Sequence, residues 1–188
     1  MNTEKYIFKS ERLGFRNWKL EDLTEFAEIN SDPHVMEHFP KPLSYKETKE
    51  FILRLQKHYS KWGYTYYATE IIETGELIGF IGLAYQTYKT EFTPAMDIGW
   101  RLKKTAWGKG YATEGAKKCL AYAFSNLNSK RIIAVCTVNN TKSENIMKKI
   151  GMTKKGEFNH PNLKDFPAYE KCIYYEFVKG EFTINLYQ

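Results

Sequence analysis

The chain has 188 residues, 43% hydrophobic and 27% charged, an ordinary balance for one folded domain (residues 1–188) with a sizeable core. Its net charge of +6 comes from 28 basic and 22 acidic side chains, but the lysines are scattered along helical stretches. That argues for a solvated basic surface over a nucleic-acid partner. No apolar run approaches the ~20 residues that span a bilayer, and the charged opening MNTEKYIFKSERL lacks a secretory apolar segment, so a cytoplasmic protein without a membrane partner is expected.

In chain order, LGFR (Leu13 to Arg16) reads as a short strand, and a helical stripe of Leu20, Leu23, Phe26, Ala27 and Ile29 follows to Asn30. Prolines punctuate SDPHV and FPKPL as loops. Ser44 with Glu47 three residues on forms a capping box. It opens a helix whose buried face is Phe51, Ile52, Leu55 and Tyr59, with Gly63 as its terminator. Tyr64 to Ile72 and Leu77 to Tyr85 form an antiparallel hairpin across ETGE. AMDIGWRL then alternates: Met96, Ile98, Trp100 and Leu102 face one way, Asp97, Gly99 and Arg101 the other. A helix from about Ala112 to Leu127 leads to RIIAVCTV, an apolar run expected for a strand covered on both faces. TKSENIMKKIG is a short helix stopped by Gly151, and the tail holds a strand or two, most clearly KCIYYEF. The order, roughly βααβββαβαβ, predicts an α+β or mixed α/β domain: antiparallel strands first, then a right-handed parallel crossover.

Cys119, Cys136 and Cys172 are odd in number and irregular in spacing, which fits reduced, packed thiols better than disulfides or a metal site. His34, His38 and His160 have neither metal spacing nor a triad partner, and read as surface or satisfied histidines.

The stretch KKTAWGKGYATEG carries the chemistry. A strand running through a Gly-x-Gly turn into a helix offers free N–H groups and a favourable helix dipole to an anion, with Lys109 as an added cation. A dinucleotide fingerprint would need glycine at Thr113, and a P-loop would need Ser or Thr after Lys109, where Gly110 stands. By itself the motif leaves a plain glycine turn about as good a reading as a ligand site.

Around these glycines the sequence resembles the GNAT superfamily of N-acetyltransferases, in its RimJ/RimL-like branch. The signature Gln/Arg-x-x-Gly-x-Gly/Ala is matched by Thr105-Ala106-Trp107-Gly108-Lys109-Gly110 within DIGWRLKKTAWGKGYATEGAKKCLAYAF. NNTKSENIMKKIGM is similar to the family's Asn-x-x-Ser segment, and SERLGFRNWKLEDLTEFAEINSDPHVMEHF to the branch's opening strand and helix. Thr105 departs from the usual Gln or Arg, Met152 from the usual Phe, and Met147 stands where many members carry an acidic tyrosine.

The resemblance implies a mixed, mostly antiparallel sheet whose fourth and fifth strands splay around acetyl-CoA, flanked by helices, with no metal. Cofactor contacts would come from Trp100, Arg101 and Leu102 along the strand and from Trp107, Gly108, Lys109, Gly110, Tyr111 and Ala112 at the pyrophosphate, with Asn140 and Ser143 opposite. A backbone N–H in GWRL, freed by a bulge, would hold the oxyanion. Asp97 is the candidate base, against the alternative that it only pairs with a lysine or caps a turn; Glu91 is weaker. Ser143 is the candidate acid, or a residue bonding the helix N-terminus, or both. Arg16, Trp18, Tyr85 and Trp100 are candidates for shaping the acceptor pocket, or simply packing.

The expected activity is acetyl transfer to a primary amine, either a protein N-terminus such as that of a ribosomal protein or a small amine, by a monomer or homodimer. The alternative is a non-catalytic CoA-binding module on the same fold.

Overall fold

The computed structural model describes residues 5–180. Its strands form one eight-stranded sheet. They are β1 (Phe8–Lys9), β2 (Leu13–Arg16), β3 (Tyr66–Ile71), β4 (Leu77–Gln86), β5 (Ala95–Leu102), β6 (Arg131–Thr137), β7 (Thr153–Asn159) and β8 (Lys171–Val178), ordered β1-β2-β3-β4-β5-β6-β8-β7. The main helices are α1 (Leu23–Ser31), α2 (Tyr45–Trp62), α3 (Tyr111–Asn126) and α4 (Thr141–Lys149).

Every adjacent pair is antiparallel except β5–β6, the two strands joined through α3. That parallel ladder holds for only two residue pairs, Met96↔Ile132 and Asp97↔Ile133. Beyond them both strands continue, β5 to Leu102 and β6 to Thr137, with a wedge between them. The sheet is therefore the splayed, mostly antiparallel arrangement expected, its parting strands being β5 and β6 in the present numbering.

The alternation read in AMDIGWRL decides what lies on each side. Ile98 and Leu102 enter the larger core, where Ala116, Cys119, Leu120 and Ala123 of α3 pack on Leu13, Phe15, Ile81 and Leu83. On the opposite face α1 and α2 lay Phe26, Ile52 and Leu55 over Ala68 and Phe80. Asp97, Gly99 and Arg101 share that second face, beneath the α1–α2 loop.

The second helix follows its sequence signals closely. Ser44 accepts from the Glu47 N–H at 3.2 Å while Glu47 accepts from the Ser44 N–H at 2.8 Å, and Gly63 ends the helix at φ +76°. The first helix is shorter than its apolar stripe. Leu20–Asp22 forms a tight 3-10 turn, because the Asp22 carboxylate is taken by Arg16 and by the Lys19 N–H. Strand β7 carries no apolar alternation; its Lys-rich, largely exposed sequence suits the edge of the sheet, where charge discourages further pairing.

Two cross-strand glycines set the height of the floor beside Asp97: Gly82 of β4 stands opposite Gly99 of β5 and Tyr66 of β3. A Cβ on Gly82 would lie 2.6 Å from the Tyr66 Cα and closer still to the Thr65 carbonyl oxygen, both main-chain atoms that cannot swing aside. Gly82→Ala is expected to destabilise the protein by about 3 kcal/mol. Gly156→Ala, whose Cβ would meet only the Tyr174 ring at 3.4 Å, should stay within about 1 kcal/mol, and urea titration of both variants checks the contrast.

Candidate active site

The wedge opens two connected cavities. The outer one, about 440 Å³, is lined by the β5 end, the glycine turn, the start of α3 and the start of α4. The inner one, about 340 Å³, reaches Asp97, Tyr66, Tyr88 and His160. His38, Phe39, Trp100, Arg101, Asn140 and Ser143 line both.

At the outer end, Gly108 and Gly110 hold φ +74° and +82°, left-handed values that glycine adopts without strain. Gly110 is the N-cap of α3 and brings no capping side chain. The first intrahelical bond of α3 is Glu114 N–H to the Gly110 carbonyl at 3.0 Å, so the N–H groups of Tyr111, Ala112 and Thr113 remain unclaimed within the helix and border the cavity. Lys142 and Lys149 of α4 line it from across the wedge. Arg12 props the turn from outside: its guanidinium donates to the Lys109 carbonyl at 3.1 Å, pairs with Glu114 at 2.7 Å and lies over the Tyr111 ring.

Along β5 the register determines which main-chain groups face the wedge. The Lys103 N–H donates to the Ile78 carbonyl at 2.9 Å, so odd-numbered residues of β5 bond to β4 and even-numbered ones turn toward β6. Past Asp97 no ladder meets them, and the N–H and C=O of Trp100 face open space. The expected bulge is absent, since β4–β5 pairs from Gly79↔Leu102 to Gln86↔Ala95 without a register shift. It is the departure of β6, not a kink in β5, that frees the edge.

Asp97 is 6% exposed and accepts from the Tyr66 hydroxyl, with the Gln86 amide at 3.5 Å. Burial pushes its carboxyl up to about 7, against these hydrogen bonds, which favour the ionised form. It neither pairs with a lysine nor caps a turn. Ser143 lines both cavities, and among the described residues its hydroxyl has no hydrogen-bond partner. The capping role falls to Asn140, whose side chain accepts from the Ser143 N–H at 3.1 Å.

Of the residues expected at the cofactor, Trp100, Arg101, Leu102, Trp107, Gly108, Gly110, Tyr111, Ala112, Asn140 and Ser143 all border the outer cavity. Lys109 does not. Trp107 lines it with its ring, but its N–H is already bonded to the Lys104 carbonyl at 3.1 Å, so the run of available donors starts at Gly108. Arg16, Trp18, Tyr85 and the exposed Glu91 border neither cavity. Arg16 is instead locked between Asp22 and Glu70.

Sequence reasoning missed Tyr66, Gln86, Lys142 and Lys149. The first two come from β3 and β4, and no local spacing ties them to Asp97. Burial holds the Cys136 and Cys172 thiols up at about 12 and about 11, unsuited to nucleophilic attack.

A cleft in a parted sheet, with a run of unclaimed N–H groups and two lysines at one end and a proton-holding carboxyl at the other, fits a long phosphorylated acyl carrier. Its donor set suits coenzyme A: main-chain donors and cations for phosphates, and a strand edge for an amide-bearing arm. Residues 12–153 match the family model for the acetyltransferase (GNAT) domain, and the chain belongs to that family of acetyl-CoA-dependent N-acetyltransferases. The chain is 33% identical over 151 residues to an uncharacterised N-acetyltransferase, YnaD, of Bacillus subtilis (strain 168), covering 79% of this chain and 84% of that one. A GNAT-family acetyltransferase from Bacillus anthracis superposes with TM-score 0.74 at 30% identity, over 92% of this chain and 98% of its own. The ribosomal-protein-S5-alanine acetyltransferase from Vibrio fischeri shares the fold at TM-score 0.73 and 20% identity, covering 93% and 97%.

The raised Asp97 carboxyl has a consequence for stability. Between about pH 4 and pH 7 the folded chain keeps a proton that the unfolded chain has released, so this group lowers stability as pH rises through that window, by on the order of 4 kcal/mol. Asp97→Asn removes the effect. Denaturant titrations should show the variant gaining on the wild type between pH 4.5 and pH 8, and an unchanged difference would contradict the burial argument.

Proposed function

We propose that residues 1–188 form one RimJ/RimL-like N-acetyltransferase domain, transferring acetyl directly from acetyl-CoA to a primary amine with Asp97 as general base. The observation that carries this reading is a carboxyl with proton affinity near neutrality, on the strand whose open edge borders the cofactor cleft. The acceptor is a protein N-terminus, such as that of a ribosomal protein, or a small amine. The likeness in fold to the S5-alanine enzyme supports the first and the modest size of the inner cavity, about 340 Å³, the second. Three unpaired thiols fit a reducing cytoplasm.

Bound acetyl-CoA supplies an acyl group already activated as a thioester, so the protein's tasks are orientation and proton transfer, and no metal is required. The N–H groups of Gly108, Gly110, Tyr111 and Ala112 would hold the pyrophosphate, with Lys142 and Lys149 adding charge. The main-chain groups of Trp100 and Leu102, which face the wedge, would pair with the pantetheine arm as an added strand, while those of Arg101 are held by β4. The Trp100 N–H, facing the wedge, stabilises negative charge on the carbonyl oxygen.

An amine attacks only when neutral. Asp97, ionised above about pH 7 and steadied by Tyr66, takes its proton. Ser143, with its hydroxyl uncommitted, would donate a hydrogen bond to the departing sulfur and relay to it a proton from water, and little help is needed because a thiol ionises near pH 8.5.

Calorimetry should show acetyl-CoA binding where NAD and ATP do not bind, and thiol release with an amine panel should show turnover. Asp97→Asn is expected to lower kcat by about 10²- to 10⁴-fold and to abolish the acidic limb of the rate profile near pH 7, with acetyl-CoA affinity retained. Failure of acetyl-CoA to bind would refute the reading as a whole. A full rate in the Asn variant would refute the role given to Asp97.

A further inference from the structure

Arg101 is the most unusual residue at the junction of the two cavities. It is 9% exposed and borders both. Its guanidinium donates to Asn30 Oδ1 at 2.7 Å, and no carboxylate pairs with it among the described residues. Its Nε is buried without a hydrogen-bond partner. Three rings enclose it, with the Phe39 centroid at 4.2 Å, Phe80 at 5.5 Å and Phe51 at 5.6 Å. The one acidic residue of the outer cavity, Glu37, is exposed and makes no ion pair with it.

A buried charge is normally paired, because removing an ion from water costs several kcal/mol and ring faces return only part of that. An unpaired guanidinium with unused donors at a cavity wall lacks an anion. Its planar fork suits a carboxylate, which it can hold through two parallel hydrogen bonds.

Direction distinguishes the acceptor from the cofactor as the source of that anion. The Arg101 side chain leaves β5 on the face shared with Asp97, among Phe39, Phe51 and Phe80 under the α1–α2 loop. The helix residues with unclaimed N–H groups and the two lysines of α4 line the outer cavity and not the inner one, whereas Arg101 borders both. Four residue steps of strand, about 13 Å, separate the Cα atoms of Asp97 and Arg101, and the Tyr66 ring lies over Gly99 between them. Among the described residues Asp97 is the only acidic one lining the inner cavity, so they offer one carboxylate for an amine and nothing for a polycation.

We propose that Arg101 is a specificity-determining residue that binds a carboxylate on the acceptor, so that the substrate is a primary amine also carrying a carboxylate, with an apolar or aromatic body, as in a hydrophobic amino acid. This rests on the acetyltransferase reading above and narrows its acceptor.

The test pairs hydrophobic and aromatic amino acids with their own carboxamides, scoring thiol release from acetyl-CoA and, with coenzyme A present, thermal stabilisation of the protein by each compound. The wild type should favour the carboxylate member by about 10- to 100-fold in kcat/KM. The carboxamide's amine is the more easily deprotonated, so unaided chemistry would favour the opposite member.

Arg101→Met should level the pair with little change in acetyl-CoA affinity, and Arg101→Lys should restore part of the preference. The wild-type comparison stands even if Arg101→Met does not fold. With acetyl-CoA bound, equal handling of both members, preference for the carboxamides, or neither turnover nor stabilisation by any carboxylate-bearing member overturns the assignment. A preference unchanged in Arg101→Met, or a variant that chiefly weakens acetyl-CoA, would move the anion to another residue or to the cofactor, and also overturns it. Absence of acetyl-CoA binding to the wild type would instead overturn the underlying acetyltransferase reading.

Discussion

The parting of β5 from β6 is the constraint on which the rest of the site depends. A parallel ladder of two residue pairs joins the two halves of the sheet and then stops. Main-chain groups that would satisfy each other in a continuous sheet are left facing a wedge, and unpaired groups at that depth are expensive unless something fills the gap. The glycine turn and α3 follow β5 directly, so the same parting brings an uncapped helix N-terminus to the mouth of the wedge. A strand edge and a helix N-terminus with unclaimed N–H groups thus meet in one cleft through a single topological event.

The second organising feature is a pair of buried ionisable groups on one face of one strand. Asp97 and Arg101 occupy alternate positions of β5 with Gly99 between them, but they do not neutralise each other. Burial drives Asp97 toward its protonated form and pushes the Arg101 guanidinium down to about 10. Contrast Arg16, equally buried but tied to Asp22 and Glu70 in a closed network that joins β2, β3 and the turn before α1. One arginine is satisfied and structural; the other faces a cavity with donors unused.

Much of this was legible from the sequence because the signals are local. Period-two alternation in AMDIGWRL placed Asp97 and Arg101 on one face and Ile98 and Leu102 on the other. The capping box at Ser44 and Gly63 bounded α2, and the two glycines before Tyr111 marked the turn that leaves helix N–H groups unclaimed. The tail allows a strand or two, yet only KCIYYEF shows its bounds, because the exposed, lysine-rich edge strand β7 carries no apolar period. The bulge expected in β5 was also misplaced, since a free N–H can arise either from a kink in its own strand or from the loss of its neighbour, and only strand pairing tells the two apart.

The sequence by itself determined the elements, the order in which they come, and the position of the turn that offers main-chain donors, since these depend on residues close together in the chain. The partners were decided by tertiary structure alone. Tyr66 and Gln86 reach Asp97 from β3 and β4, Asn30 and three phenylalanines enclose Arg101, and Lys142 and Lys149 face the glycine turn across the wedge. A carboxyl's proton affinity and a guanidinium's lack of an anion are set by burial and by what lies within a few ångströms, and that distance is bridged by the fold, not by spacing along the chain.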